Sequence, residues 1–271
     1  MQSNKLRERY EIKYKDEIRQ LFKEYDTVSL NEYLYEKYLN VLGSSAKEKS
    51  EIINIRKEYN DLFYNFYNNE SVIKSAFINH VLLKKAGVTI FELKSGGSRL
   101  DLCTINGEST AFEVKTDLDT FDRLDKQISD YERLFDKTYV ICSHDRLRDI
   151  IDIVNDTCGI YLYKNQRGKF RFKVYKQAKK SANLDPGYQL KIMTLGYLRR
   201  LANNKNFSRE QCLEFCSTHL TKKSINRIFK DYLKFKYFDS WEFLKQNSDE
   251  IVDIDYQWFF KNNIQPKNIY R

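Results

Sequence analysis

Proline and glycine are scarce, at two and nine in 271 residues. So few breakers exclude a chain of long irregular loops and predict regular elements with short connections. No stretch approaches the ~18 consecutive apolar residues of a membrane helix. The opening MQSNKLRERYEIKYK has no apolar h-region of the secretory kind, so the expected compartment is the cytoplasm. The five cysteines are odd in number and lack framework spacing, which predicts free thiols. Histidine is rarer still: His80 and His144 stand alone, and no Ser, His and Asp arrangement can be recognised. Cys212, Cys216 and His219 fall at i, i+4 and i+7, but a zinc site needs a fourth ligand, so core positions are the simpler reading. A phosphate-binding glycine loop is also missing, because Gly96-Gly97 precedes a strand-like run where such a loop precedes a helix.

What the chain does have is charge and aromatic rings. Charged residues make up 31% and aromatics 15%, a composition that packs and is unlike a disordered tail. The charge is uneven: residues 164–236 hold 19 Lys and Arg against 4 Asp and Glu, while the remainder is net acidic. Clustered cations attract polyphosphate backbones and release their counterions, which makes nucleic acid the expected partner. A solvated helical face is the bland use of the same charge.

Helical periodicity runs through residues 5–68, for instance Ile18, Leu21, Phe22 and Tyr25, with a break at Gly43. NESVIKSAFINHVLLKKAG predicts a core helix with Gly87 available as its cap. Three strand-like runs follow, VTIFELK, SRLDLCTI and STAFEVKT, the last two separated by Asn106-Gly107. Then come an amphipathic helix in TFDRLDKQISDYERLF, a strand in TYVICS, a helix in DRLRDIIDIVND, and paired strands in GIYLYKN and KFRFKVYKQ. In the last of these Lys169, Arg171 and Lys173 share one face. Asp185-Pro186-Gly187 marks a boundary, beyond which helices are expected near 188–203, 208–219, 222–238 and 240–247, with Ser208 as an N-terminal signal. The expected organisation is a helical region 1–69, an α/β core 70–184 and a basic helical region 185–271, with a mixed sheet covered by helices.

In AFEVKTDLD, alternation puts Glu113 and Lys115 on one face of a strand and Phe112 and Val114 on the other. Asp101, on the preceding strand, joins Glu113 only if the hairpin register is of the right parity. A two-residue turn at Asn106-Gly107 would pair 101 with 112 and turn Asp101 away. A three-residue loop, 105–107, with Gly107 left-handed, would pair 101 with 111 and return it to the face of Glu113. The odd-length loop, or an equivalent bulge, is the expectation.

Asp101, eleven intervening residues, then Glu113-Val114-Lys115 resembles the PD-(D/E)XK nuclease superfamily, although Leu100 stands where the name has proline. The order helix, three strands, helix, strand is similar to the core of the restriction-endonuclease-like fold (αβββαβ). Gln127 and Tyr131 match the QxxxY element of its RecB-like exonuclease members. SRLD, EVKTDLD and DRLDKQISDY also look like a subgroup of bacterial and phage-borne proteins placed in this superfamily; the likeness covers residues 70–143.

The resemblance implies a metal-dependent nuclease, a phosphodiester hydrolase acting on DNA rather than RNA. Asp101, Glu113 and the backbone carbonyl of Val114 would bind Mg²⁺, with Mn²⁺ as a possible substitute, and Lys115 would orient or deprotonate the attacking water. Glu70 matches a place where many members add an acidic ligand, and Glu92 competes for that role. Gln127 and Tyr131 would touch nucleic acid or Lys115, Ser98 and Arg99 a phosphate, and Lys169, Arg171 and Lys173 the nucleic-acid backbone. Aromatics among the C-terminal lysines, Phe235 and Phe238 included, form a small core or stack on bases. A catalytically inactive nucleic-acid-binding protein on the same fold, or an RNase, are the alternative readings.

Overall fold

The computed structural model describes residues 15–95 and 97–271. The first fourteen residues and Gly96, which carry the opening stretch and half of the Gly-Gly pair, lie outside the described residues. The described residues divide into two compact units, both discontinuous in sequence: one holds residues 15–81, 164–171 and 242–271, the other residues 82–163 and 172–241.

In the first unit, helices α1 (Lys15–Glu24), α2 (Asn31–Leu42), α3 (Ile55–Phe66) and α4 (Glu70–Phe77) follow the predicted periodicity. Asn54 and Asn69 cap α3 and α4 by accepting backbone N–H bonds, from Arg56 and Lys57 and from Val72. The helical run after α4 continues as a π-turn, Ile78–Leu82. Leu21, Leu34, Tyr38, Tyr59 and Phe63 form the core. A polar cluster joins the C-terminal segment to the N-terminal helices. Buried Asp255 accepts from Tyr25, Thr27 and Tyr270, at 2.9, 2.8 and 2.7 Å. Buried Arg56 donates to the Thr27 and Ser29 carbonyls and lies 4.4 Å from the Tyr270 ring centre. This pairing explains why a contiguous three-part division at 69/70 and 184/185 does not match the compact units: the last thirty residues pack with the first helices.

A mixed sheet carries its six strands in sequence order, and all of it except the strand residues within 164–171 belongs to the second unit. They are β1 (Val88–Ser95), β2 (Ser98–Asn106), β3 (Glu108–Lys115), β4 (Lys137–Ser143), β5 (Gly159–Gln166) and β6 (Lys169–Lys176). β1, β2 and β3 are antiparallel; β3, β4 and β5 are parallel. The parallel step from β3 to β4 needs a crossover, supplied by α5 (Leu124–Glu132). Leu124 and Ile128 of α5 pack with Val140, Cys142, Ile150 and Ile160. On the opposite face Phe112 stacks on Tyr139 at 5.9 Å. β5 and β6 turn through Arg167-Gly168, both at positive φ (55° and 72°), as a tight hairpin requires. Along β6, Lys169, Arg171 and Lys173 are exposed in alternation.

α6 (Leu147–Ile151) is much shorter than the helix expected over DRLRDIIDIVND. Beyond it Asp185 caps α7 (Pro186–Ile192), which has proline in its first turn, and α8 (Leu195–Leu201) and α9 (Arg209–His219) follow. Ser208 and Gln211 close a capping box on α9. α10 (Lys222–Asn247) is one continuous helix where a break near 239 was expected, because Leu233, Trp241 and Leu244 bury one apolar stripe through it. Among the described residues no helix is long and apolar enough to cross a membrane.

Candidate active site

The hairpin register decides whether the acids meet. Leu102 pairs with Phe112, Cys103 with Ala111 and Asn106 with Glu108, so Gly107 alone forms the apex, at φ 71°. The loop is odd, as expected, but it is centred one residue later. Asp101 therefore falls opposite Glu113 rather than 111. The physical reason is that Asn106 and Glu108 still pair, which takes a left-handed residue between them, a conformation glycine adopts without strain. Parity is unchanged, so Asp101 and Glu113 share a face.

That face is covered. Glu113 is buried to 3% exposure and Lys115 to 9%, so the pair does not stand on a solvated surface. α5 lies over the cluster and holds it through the two residues of its QxxxY spacing. Lys115 Nζ donates to Glu113 Oε1 at 3.0 Å and to Gln127 Oε1 at 2.9 Å. Gln127 Nε2 donates back to Glu113 Oε1, and the Tyr131 hydroxyl donates to Glu113 Oε2 at 2.7 Å. Gln127 and Tyr131 thus serve the carboxylate directly. Tyr131 is fully buried and presents no surface to nucleic acid. Burial, with Glu113 and Asp101 nearby, pushes the Tyr131 hydroxyl far above its ordinary range, so it stays a donor.

Asp101 Oδ2 accepts from the Val114 backbone N–H at 2.8 Å, which ties its carboxylate to the strand that carries Glu113 and Lys115. Behind them Asp119 accepts from the Thr116 N–H and Asp117 from the Ser143 hydroxyl. These two acids of the TDLD sequence hold the turn leaving β3. Sequence reasoning gave them no task, since the local loop conformation and the cross-strand bond to Ser143 are set by where the chain goes next.

The remaining predicted residues divide. Ser98 donates to Asp130 at 2.6 Å, and exposed Arg99 pairs with Glu92 at 3.6 Å. Glu92 lies opposite Asp101 in the β1–β2 register, in a left-handed conformation (φ 51°) that interrupts the ladder. Glu92, Asp101 and Glu113 occupy one row across three strands. Among the described residues, however, no three His, Cys, Asp or Glu side chains gather closely enough to hold a metal ion. Glu70 belongs to the first unit and pairs with Lys74 at 2.7 Å. In α9, Cys212 and Cys216 are buried and His219 bonds the Phe215 carbonyl at 2.9 Å, a core arrangement.

Two carboxylates offering hard oxygens are a donor set suited to Mg²⁺, which keeps several waters and takes the rest of its shell from substrate phosphate. The absence of sulfur or imidazole in the cluster disfavours zinc. The residues present therefore fit a magnesium site of two protein carboxylates, and do not fit an all-protein cage.

Fold and site together define a mixed α/β protein with a buried Asp, Glu and Lys cluster beneath a crossover helix. The chain belongs to the bacteriophage P4 protein cII family, whose model matches residues 63–257. It is 26% identical over 144 residues to protein cII of Enterobacteria phage P4, covering 51% of this chain and 54% of that protein. The chain thus spans about half the length of the curated relative it matches. No solved structure matches.

Proposed function

We propose that this protein is a metal-dependent nuclease that hydrolyses phosphodiester bonds of DNA, on a core of restriction-endonuclease-like order. One observation carries the reading: Asp101, Glu113 and Lys115 come to one face of adjacent strands, through an odd hairpin register and a helix that bonds the cluster with Gln127 and Tyr131. The order α4, β1, β2, β3, α5, β4 supports the same reading.

Asp101 and Glu113, with the Val114 carbonyl, would hold Mg²⁺, which when bound supplies a Lewis acid for a phosphodiester oxygen. The chain's own residues do the positioning. Lys115 has three N–H donors, and two are engaged by Glu113 and Gln127, which leaves one for the attacking water or a phosphate oxygen. Its fixed charge faces the position where negative charge grows as the water oxygen bonds phosphorus and the bond to O3′ breaks. The products would be a 5′-phosphate and a 3′-hydroxyl. Tyr131 and Gln127 keep the Glu113 carboxylate from rotating.

The test is Mg²⁺-dependent degradation of single-stranded and duplex DNA and of RNA, with Asp101→Asn and Lys115→Gln. The expected outcome is DNA cleavage that each substitution lowers by at least a hundredfold, in line with the loss of a group that stabilises developing charge. Cleavage that survives both would sink the assignment, and preferential cutting of RNA would make the protein an RNase. The dense bonding of Glu113 favours a second reading, a nucleic-acid-binding protein that no longer cuts. Tight binding without cleavage under Mg²⁺ or Mn²⁺ would select it.

A further inference from the structure

At the opposite end of β3 from Glu113 lies a cavity of about 630 Å³, formed within the second unit between α7 and the start of α10. Ser109, at the first turn of β3, is four residues from Glu113, so the cavity and the carboxylate cluster are separated by roughly 13 Å of strand. Its floor is a bonded polar chain. The Ser109 N–H and hydroxyl, Asn226 Nδ2 and Lys230 Nζ all donate to Asp136, at 2.8, 3.1, 2.9 and 3.1 Å. Gln189 Nε2 donates to Asn226 and to the Leu134 carbonyl.

Two features of this cavity point to a ligand. Its rim is cationic: Lys222, Lys223 and Arg227 line it, and among the described residues none of the three has a carboxylate partner. The second is Gln189, which is fully buried, lines the cavity, and leaves its Oε1 without a hydrogen bond among the described residues. An acceptor cannot be satisfied by phosphate, which brings only acceptors at its anionic oxygens. A nucleobase or sugar brings the N–H or O–H that such an acceptor takes.

The cations continue along α10. At 3.6 residues per turn, Lys223, Arg227, Lys230, Lys234 and Phe238 fall on one stripe, about 22 Å long. Phe238, at its far end, is a half-exposed ring. Cations that follow a backbone, ending at an open aromatic ring, are the arrangement that binds single strands. We propose that the cavity and this stripe form a binding track for single-stranded nucleic acid, with one nucleotide seated over Gln189, neighbouring phosphates on Lys223 and Arg227, and a base stacked on Phe238. The track is separate from the carboxylate cluster and does not depend on metal or on cutting.

The experiment is fluorescence anisotropy of the full chain with a labelled twelve-residue oligothymidylate in EDTA, against a twelve-base-pair duplex. The single strand is expected to bind more tightly. The exposed double variant Lys223→Ala, Arg227→Ala should weaken it at least tenfold. It should also flatten the plot of log affinity against log salt by roughly 1.4, because two phosphates of the strand keep their counterions. Phe238→Ala should weaken binding by about five- to a hundredfold. Equal binding of duplex and single strand, or unchanged affinity in either α10 variant, would overturn the proposal. Since cleavage plays no part in the readout, failure of the nuclease reading would leave this result standing.

Discussion

Tyr131 shows how one side chain holds a charged cluster. Its hydroxyl is the donor to Glu113 Oε2, in a place where water cannot replace it. Tyr131→Phe keeps the ring and removes the donor, so a loss of about 1.5–3 kcal/mol in urea unfolding is expected, the range for a hydrogen bond to a charged group. Asp136 gives a pH-dependent counterpart. Burial pushes its carboxyl up, but the Ser109 N–H, Asn226 and Lys230 outweigh this and hold it below the usual carboxylate range. A depressed folded value means that the ionised form stabilises the fold. That stabilisation is complete above the unfolded value, about 3.9, and is lost as pH falls through the lower folded value. Thermal melts of wild type and Asp136→Asn should therefore differ by a constant amount from pH 7 to about 5 and converge below pH 4. Asp101, Glu113 and Lys115 were legible from strand period two and hairpin parity, and Gln127 and Tyr131 through the resemblance to the nuclease superfamily. Asp136, Gln189 and Asn226 were not, since each gains its partner from an element far away in sequence.

Among elements, the β1–β2–β3 meander was predictable from its alternation, and its exact pairing was not. The odd parity could be argued from the residues, but whether the loop centred on 106 or 107 depended on which cross-strand pair formed last. Gly87 is a similar case. As a helix cap it was plausible, yet its structural task is a close approach: at φ 109°, an added Cβ would stand 2.4 Å from the Ile105 carbonyl oxygen. Gly87→Ala should destabilise the protein by about 1–3 kcal/mol, through a disfavoured conformation and a backbone clash, measured by denaturant unfolding. The long α10 was misjudged because Asp239-Ser240 reads locally as a break. Burial of Trp241 and Leu244 outweighs that weak propensity.

For the molecule as a whole, the discontinuous first unit makes a further prediction. Removing residues 242–271 takes away Asp255 and Tyr270, leaving the Tyr25 and Thr27 hydroxyls without their acceptor and Arg56 without the ring it packs on. The truncated chain should lose cooperative folding of α1 to α3, seen as rapid proteolysis within residues 15–66 while β1–β4 stay protected. Composition and short periods determined that the chain packs, that its elements are regular, and that about a quarter of it, residues 164–236, carries the excess positive charge. The alternation around Glu113 and Lys115 belongs to the same level. Only the tertiary structure decided that Asp101 lies opposite Glu113, that the cluster is covered rather than solvated, and that the C-terminal residues complete the N-terminal helices. Register, burial and long-range pairing are set by competition among all the elements at once, which no local window of sequence contains.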